Sequence, residues 1–165
     1  MTTIVADAAM GYMAADRMVG SNDGDIAMSC ETKIYEVEIG GDDYLVSLAG
    51  REGPGLIFLD WFENGDWDEP PEPLVSLEET DDFSAVVLGP DGIHISDKFM
   101  RLDKVWERWY AAGTGGLFAW AVLHAGCGID KAMETAIRMD PNSGFGYQVK
   151  YLDGTIEEAA PHGER

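Results

Sequence analysis

The chain begins Met1-Thr2-Thr3-Ile4-Val5-Ala6, and this stretch decides how the rest of the sequence is interpreted. Residues 3–6 predict a short strand, which the following residues turn back. A small residue after the initiator methionine favours removal of Met1 by an aminopeptidase. Removal leaves Thr2 with a free α-amine and a hydroxyl, and this pair can serve as base and nucleophile on one residue. The stretch therefore predicts a short strand that directly follows a candidate catalytic residue, Thr2.

Length and composition indicate a globular protein. The chain has 165 residues, which favours one domain, and we place it at residues 1–152, with a polar, flexible tail at 153–165. A hydrophobic fraction of 45% with 25% charged residues argues against wholesale disorder. No apolar run is long enough to cross a bilayer, and the N-terminus lacks a basic region followed by an apolar core. We therefore expect a cytoplasmic protein with no membrane partner.

The net charge of −20 narrows the classes of partner further. Lys and Arg together number only 11, which argues against binding nucleic acid through its phosphates and against anionic membrane surfaces. Solubility is the simplest role of the excess acid. A mimic of DNA would need ordered arrays of carboxylates, whereas the densest acidic cluster here, residues 66–82, is rich in proline and predicts a solvated excursion.

Cysteine and histidine do not predict a metal or cofactor site. Cys30 and Cys127 are few and far apart, and they are expected to be free, buried thiols. His124 lies in an almost wholly apolar segment and is expected to be a hydrogen-bonded core residue. His94 and His162 lie in a hairpin and in the tail, so we expect neither a metal triad nor a Ser-His-Asp arrangement.

Hydrophobic periodicity predicts an α+β domain with antiparallel sheets. Alternating segments bounded by turn residues predict strands at 3–6, 11–15, 34–39, 44–49, 84–88, 92–96, 108–112 and 147–152. Helical segments are predicted at 56–62, 117–125 and 129–139. Residues 117–125 are apolar almost all round, as expected of a buried helix. Strand pairs and helix pairs are segregated along the chain, which favours layered antiparallel sheets over alternating βαβ units.

Six short motifs follow one another across nearly the whole chain. They are Thr2-Thr3-Ile4-Val5, Ala14-Ala15-Asp16-Arg17, Thr32-Lys33-Ile34 with the hairpin ending in Leu48-Ala49-Gly50, the central hairpin Val86-Val87-Leu88-Gly89-Pro90-Asp91-Gly92, Gly113-Thr114-Gly115-Gly116, and Asp140-Pro141-Asn142-Ser143-Gly144. Together they resemble the N-terminal nucleophile hydrolases of the proteasome β-subunit and HslV type, in a compact form such as a phage or prophage member. The resemblance implies a four-layer αββα sandwich with two antiparallel sheets.

The resemblance also implies a role for each matched residue. Thr2 would be the nucleophile and its own α-amine the general base, with no cofactor and no metal. Lys33 would lie beside the threonine hydroxyl, and Asp16 would hold Lys33 in place. The backbone N–H of Gly50 would donate to the oxyanion. The remaining three residues would orient the amine; they are Thr114, Asp140 and Ser143.

By the same resemblance, the chain would be a threonine peptidase in a homo-oligomeric ring, acting on peptides or unfolded proteins with an AAA+ unfoldase as a candidate partner. Three alternatives stay open: an inactive scaffold or assembly protein, a small-amide N-terminal nucleophile amidohydrolase, and an acidic binding module. Taken singly, the residues also have structural interpretations. Asp16 suits a turn, Lys33 suits an exposed strand start, and Asp140 with Ser143 suits a capped turn.

Overall fold

The computed structural model describes residues 2–20, 27–30, 32–64, 67 and 83–159. Along this part of the chain, strands predominate in the first half and two consecutive helices precede the final strand pair. The elements are β1 (Thr3–Asp7), β2 (Tyr12–Asp16), β3 (Met18–Gly20), β4 (Ala27–Ser29), β5 (Ile34–Ile39), β6 (Asp42–Gly50), α1 (Glu52–Asn64), β7 (Phe83–Gly89), β8 (Gly92–Ser96), β9 (Asp103–Val105), β10 (Trp109–Gly113), α2 (Gly116–His124), α3 (Ile129–Met139), β11 (Tyr147–Tyr151) and β12 (Ile156–Ala159).

The strands form two antiparallel sheets and a short ribbon. The first sheet has the order β10-β1-β2-β11-β12, and the second has the order β5-β6-β7-β8-β9. Strands β3 and β4 pair as a two-stranded ribbon beside them. Strand β1 lies between β10 and β2, with Thr3 opposite Gly113 and Ile4 opposite Ala15. The start of the chain is therefore inside the first sheet, not at its edge.

Side-chain alternation along β1 explains why it is buried on both faces. Ile4 and Ala6 point toward the second sheet, where they pack in one cluster with residues of β5 to β8 such as Leu45 and Val86. Val5 points the opposite way, into a second cluster formed with α2 and α3. Successive side chains of a strand face opposite sides, so an uninterrupted apolar run places residues in both layers.

Helices cover the outer faces of both sheets. Helices α2 and α3 pack on the first sheet through residues such as Leu123 and Met133. Helix α1 packs on the second sheet through Phe58 and Phe62. The layers therefore run helix, sheet, sheet, helix, and the predicted four-layer αββα sandwich is confirmed. None of the helices in the described residues has the length and apolar character to span a membrane.

Helix α1 is longer than the predicted segment 56–62, because it starts at Glu52 and contains Pro54 in its first turn. A proline is tolerated there since the first N–H groups of a helix have no partner within the helix. Strand β2 runs one residue later than predicted, from Tyr12 to Asp16, so that Asp16 is a strand residue. The predicted loop at 20–25 and excursion at 66–82 lie outside the described residues, apart from Gly20 and Trp67.

Helix α2 differs from the sequence-based expectation of a buried helix. Its buried residues are Gly116, Ala119 and Leu123, whereas Leu117 is 79% exposed and Trp120 is 44% exposed. His124, expected in the core, is exposed, and its ring lies against that of Trp120 at a tilt of 42°, with the ring centroids 3.9 Å apart. The helix is apolar all round, but the first sheet covers only one side of it. An apolar sequence indicates that a helix is suited to burial, but it does not show whether the same chain or another protein packs on each of its sides.

The C-terminal part of the described chain also forms structure that the periodicity missed. Residues 153–159 were predicted to belong to a flexible tail. Their last four residues form β12, which pairs with β11 from Lys150 opposite Ile156 to Tyr147 opposite Ala159. Three of the four β12 residues are exposed, so the strand is held mainly by its backbone ladder. Residues 160–165 lie outside the described part.

Candidate active site

Thr2 immediately precedes β1 and is only 4% exposed. Its hydroxyl oxygen Oγ1 accepts a hydrogen bond from Nζ of Lys33 at 3.1 Å. A charged donor on this oxygen stabilises negative charge there, so it favours a developing alkoxide. Met1, whose removal would expose the amine of Thr2, lies outside the described residues.

Asp16, at the end of β2, has no exposed surface and accepts four hydrogen bonds. Its Oδ1 accepts from Nζ of Lys33 at 3.0 Å and from the backbone N–H of Thr3 at 2.8 Å. Its Oδ2 accepts from the backbone N–H groups of Met18 and Gly144, each at 3.1 Å. Four donors replace the water that a buried carboxylate loses. Asp16 therefore joins the start of β1, the lysine and the turn after α3.

Lys33 reaches this site from the opposite sheet. It lies one residue before β5, while Thr2 and Asp16 belong to the first sheet. Its side chain is 10% exposed, and its ammonium contacts both Thr2 and Asp16. The three side chains meet because the two sheets pack face to face at the ends of β1, β2 and β5. This trio was predicted from the sequence, and the structure brings its members together.

A second group of predicted residues gathers around Asp140, which follows α3. Its Oδ2 accepts hydrogen bonds from Oγ1 of Thr114 at 2.6 Å and from Oγ of Ser143 at 2.7 Å. Ser143 uses its single hydroxyl proton in this bond, so Oγ1 of Thr3, 2.7 Å away, is the donor to Ser143. The result is a directed chain of hydroxyls that runs from Thr3 to the carboxylate.

The hydrogen bonds to Asp140 also determine the direction of its pKa shift. Burial alone would raise the pKa of this carboxyl, because it disfavours the charged form. The hydrogen bonds donated by Thr114, Ser143 and the Asn142 amide outweigh burial, and the pKa of Asp140 is lowered from its ordinary value. The carboxylate is therefore ionised and acts as an acceptor for the whole hydroxyl chain at neutral pH.

Thr3 connects the two groups, although its sequence position gave it no predicted role. Its backbone N–H donates to Asp16 and its hydroxyl donates to Ser143. Six of the seven predicted site residues are therefore linked by hydrogen bonds through this one threonine. The signal for its importance was present, since a second hydroxyl residue adjoins Thr2, but a threonine in a strand is common enough to be passed over.

Gly115 has a close-packing role that its motif did not reveal. A Cβ placed on Gly115 would lie 1.9 Å from Oγ1 of Thr3, 3.1 Å from Oγ of Ser143 and 3.2 Å from Oδ2 of Asp140. No heavy atom fits at the first of these distances. The entry to α2 therefore has to be glycine for the backbone to approach the hydroxyl chain this closely.

Gly50 lies at the end of β6 and is exposed. Its φ of +101° is a conformation that glycine adopts readily and other residues rarely do. The neighbouring Ala49 packs in the same buried cluster as Ile4, which places this end of β6 against β1. Among the described residues, the hydrogen bonds that join the other six predicted residues do not include Gly50, and its role stays a prediction.

Cysteine and histidine positions give no support for a metal site. In the described residues, no three or more His, Cys, Asp or Glu side chains are grouped so that they could hold a metal ion. Both cysteines are free, as expected, but Cys30 is only partly buried and Cys127 is exposed. His94 lies 3.5 Å from Asp91 on the far sheet, and His162 is outside the described part.

Comparison with solved structures places this geometry in a known fold. The chain is similar to Anbu (ancestral beta-subunit) from Yersinia bercovieri, with a TM-score of 0.70 and 9% identity, over 97% of this chain and 88% of that one. It is also similar to eukaryotic HslV from Trypanosoma brucei, with a TM-score of 0.66 and 20% identity, over 95% of this chain and 99% of that one. No family model and no curated protein matches the sequence. The likeness confirms the expected fold, which is that of HslV and of the Anbu beta-subunit.

Proposed function

We propose that this chain, which has the fold of HslV and Anbu, is a threonine peptidase that hydrolyses peptide bonds in peptides or unfolded proteins. One observation carries the proposal: Nζ of Lys33 lies 3.1 Å from Oγ1 of Thr2 and 3.0 Å from Oδ1 of Asp16. A hydroxyl with a cation on its oxygen, and a buried carboxylate that holds the cation, is an arrangement suited to an activated nucleophile. A structural threonine has no need of it.

The first half of the reaction joins Thr2 to the substrate in a tetrahedral intermediate. After Met1 has been removed, the α-amine of Thr2 takes the hydroxyl proton as Oγ1 attacks the scissile carbonyl carbon. The new C–O bond moves the carbonyl π electrons onto the oxygen, which becomes an oxyanion. An α-amine has an intrinsic pKa of about 7.7–8.0, so it can act as a base near neutral pH without a histidine. The nearby positive charge of Lys33 favours the unprotonated amine.

The second half releases both products. Collapse of the oxyanion breaks the C–N bond, and the α-ammonium gives its proton to the departing amine. A water molecule then attacks the ester carbonyl while the α-amine takes one of its protons. Breaking the C–O bond to Thr2 returns the proton to Oγ1 and frees the carboxylic acid product. Thr2 is restored, and no cofactor is consumed.

Four other residues have supporting roles in this proposal. The backbone N–H of Gly50 donates to the oxyanion, a role for which the open backbone of glycine is suited. Thr114, Asp140 and Ser143 orient the amine of Thr2 by fixing the adjacent residue, since their hydrogen-bond chain ends at Thr3. The ionised Asp140 makes this chain rigid because every hydroxyl points toward it.

Self-assembly forms part of the proposal. We define the α2 face as Leu117, Phe118, Trp120 and Ala121, all of which are exposed. A contiguous apolar helix face in a chain of net charge −20 is a feature of surfaces that another protein covers. A second copy of the chain covering this face would produce a homo-oligomer. We propose a closed ring that confines the active sites and receives unfolded substrate, with an AAA+ unfoldase as the partner that supplies it.

Mass spectrometry and a covalent probe test the proposal together. The protein is expressed without an N-terminal tag in cells that contain methionine aminopeptidase, and its intact mass is measured. A peptide epoxyketone, which reacts with both the amine and the hydroxyl of an N-terminal threonine, is then added. We expect loss of Met1 and one adduct, located at Thr2. Thr2→Ser should retain labelling and Thr2→Ala should abolish both labelling and peptide hydrolysis.

Two results would overturn the assignment. If Thr2→Ala hydrolyses peptides at the wild-type rate, Thr2 is not the nucleophile. If Met1 stays attached under these conditions, the amine belongs to the wrong residue, and the inactive scaffold becomes the better interpretation of the same fold.

A further inference from the structure

Ser47 is a fully buried serine on β6 that the proposed reaction does not use. In the ladder between β5 and β6 it lies opposite Ile34, the first paired residue of β5. Its Oγ donates a hydrogen bond to the backbone carbonyl of Lys33 at 2.9 Å. The Ser47 hydroxyl therefore holds the backbone of Lys33, which immediately precedes the first paired residue of β5.

We propose that Ser47 is a positioning residue for the peptidase reaction. It fixes the backbone of Lys33 so that the ammonium lies between Thr2 and Asp16. The inference rests on the proposed function, and it adds a residue that acts on Thr2 through Lys33 without contacting the substrate.

The geometry of Lys33 shows why its backbone needs to be fixed. Its Nζ has to be near both Oγ1 of Thr2 and Oδ1 of Asp16, at 3.1 and 3.0 Å, and hydrogen bonds weaken steeply when distance or angle changes. A lysine side chain has four rotatable bonds, so a shift of its Cα is passed on to Nζ. Positioning errors of about 1 Å can cost about 100-fold in rate.

The residues beside Lys33 are anchored in a similar way. The N–H of Ile34 donates to Oγ1 of Thr32 at 3.0 Å, and the same Oγ1 lies 2.7 Å from Oε1 of Gln148 on the first sheet. Thr32 therefore ties one side of Lys33 to the first sheet, while Ser47 ties its carbonyl to the second. Of these two anchors, Ser47 is the one bonded to Lys33 itself.

A purely structural role for Ser47 predicts a different experimental result. Loss of packing or of a buried hydrogen bond lowers the amount of native enzyme, and that reduces the rate by the same factor at every pH. Displacement of Lys33 instead removes a positive charge from the neighbourhood of the Thr2 amine. The pKa of that amine then rises, so the rate falls most on the acid side. The pH profile therefore separates the two roles.

The experiment measures the rate at which the peptide epoxyketone inactivates the processed protein across the range from about pH 5.5 to 9, which brackets the α-amine. For Ser47→Ala we expect the acid limb of the pH–rate profile to move to higher pH by about half a pH unit or more. We also expect inactivation at neutral pH to slow by about tenfold. Ser47→Thr keeps the hydroxyl and should restore the wild-type profile.

Ser96 provides the matched control. It is a buried serine on β8 of the same sheet, and its Oγ has no hydrogen-bond partner among the described residues. Ser96→Ala should therefore leave the pH profile unchanged. If Ser47→Ala does not fold, Ser47→Cys replaces it, because the thiol fills a similar volume but is too weak a donor to hold the Lys33 carbonyl as the hydroxyl does.

Each outcome bears on the proposal. A shifted acid limb in the Ser47 variant, absent from the Ser96 control and rescued by threonine, supports it. A labelled wild type with an unshifted Ser47→Ala or Ser47→Cys profile overturns the role of Ser47 and leaves the peptidase proposal standing. A wild type that is never labelled at Thr2 overturns the peptidase proposal, and the role of Ser47 with it.

Discussion

The carboxylate of Asp16 lies 3.0 Å from the ammonium of Lys33, and the two residues come from different sheets. Asp16 is itself held by the backbone N–H groups of Thr3, Met18 and Gly144. The cation at Thr2 is therefore fixed by a carboxylate that cannot rotate. This arrangement makes the site sensitive to changes at Lys33, where charge and position both matter.

Lys33→Ala should abolish most peptide hydrolysis while the protein remains folded. The substitution removes the charge that stabilises the Thr2 alkoxide, and losses of about 10²–10³-fold are typical for such a group. Lys33→Arg keeps the charge but replaces a compact ammonium with a broad planar fork, so it should not rescue activity. Lys131→Ala, on an exposed part of α3, is the control. Hydrolysis by Lys33→Ala near the wild-type rate would contradict the assigned role.

Gly115→Ala should disrupt the site, because its Cβ would lie 1.9 Å from Oγ1 of Thr3. Relief of this clash requires the start of β1 or of α2 to move, which costs about 1–3 kcal/mol in overpacked cores. We expect a lower free energy of unfolding in urea melts and little peptide hydrolysis. Gly128→Ala is the matched control, since a Cβ there meets nothing within 4 Å. Equal stability of the two variants would show that Gly115 does not approach Thr3 this closely.

Substitution of the α2 face should change the oligomeric state. Leu117→Glu with Trp120→Glu places two charges on the exposed apolar surface, and burying them against another copy would be costly. We expect the assembly to dissociate, as measured by native mass spectrometry, while far-UV circular dichroism stays unchanged. Met10→Glu alters an exposed apolar residue in the turn after β1 and should have no effect. A wild type that is monomeric throughout would exclude assembly through this face.

Asp7 should make stability depend on pH in the acid range. Burial raises the pKa of this carboxyl, but hydrogen bonds from Arg108, the Met10 amide and Trp109 outweigh it, so the pKa is lowered. A lowered folded-state pKa contributes stability above the unfolded value of about 3.9, and this contribution is lost as pH falls through the folded value. Asp7→Asn should therefore cost about 1–3 kcal/mol at neutral pH.

The cost of Asp7→Asn should shrink as the pH falls, because the wild type then loses the same interaction by protonation. Urea unfolding at neutral pH and at about pH 3 measures both values. Asp43→Asn changes an exposed residue near the β5–β6 turn and should cost little at either pH. A penalty for Asp7→Asn that is the same at both pH values would show that ionisation of Asp7 does not contribute.

Much of the fold could be predicted from local sequence patterns. The apolar run after Thr2 forms a strand buried on both faces, the segment around Gly89 forms a hairpin, and residues 129–139 form an amphipathic helix. These features depend on periodicity and turn residues, which the sequence displays directly. The β12 strand escaped prediction because its residues are mostly exposed and polar, and its stability comes from a backbone ladder that leaves no hydrophobic pattern.

Ordered motifs predicted most residues of the site, but the contacts between those residues became visible only in the three-dimensional structure. Thr2, Asp16 and Lys33 were predicted as site residues, whereas Thr3, Gly115 and Ser47 were not. The missed residues act through single hydrogen bonds or close approaches between elements distant in sequence, as in the bond from Ser47 to Lys33. Many serines, threonines and glycines occur in a chain of this length, and the weak signals in the sequence, such as the position of Thr3 beside Thr2, do not show which elements these three residues contact.

The sequence alone determined the helices and the longer strands, that the sheets are antiparallel, and which hydroxyl, amine and carboxylate are available for chemistry, whereas the short strands β3, β4, β9 and β12 were not predicted. Tertiary structure decided that Lys33 of one sheet meets Thr2 and Asp16 of the other, and that one side of α2 is left uncovered. The division has a physical cause. Secondary structure follows from interactions between near neighbours, whereas the site depends on how two sheets pack, and that packing is a property of the whole chain.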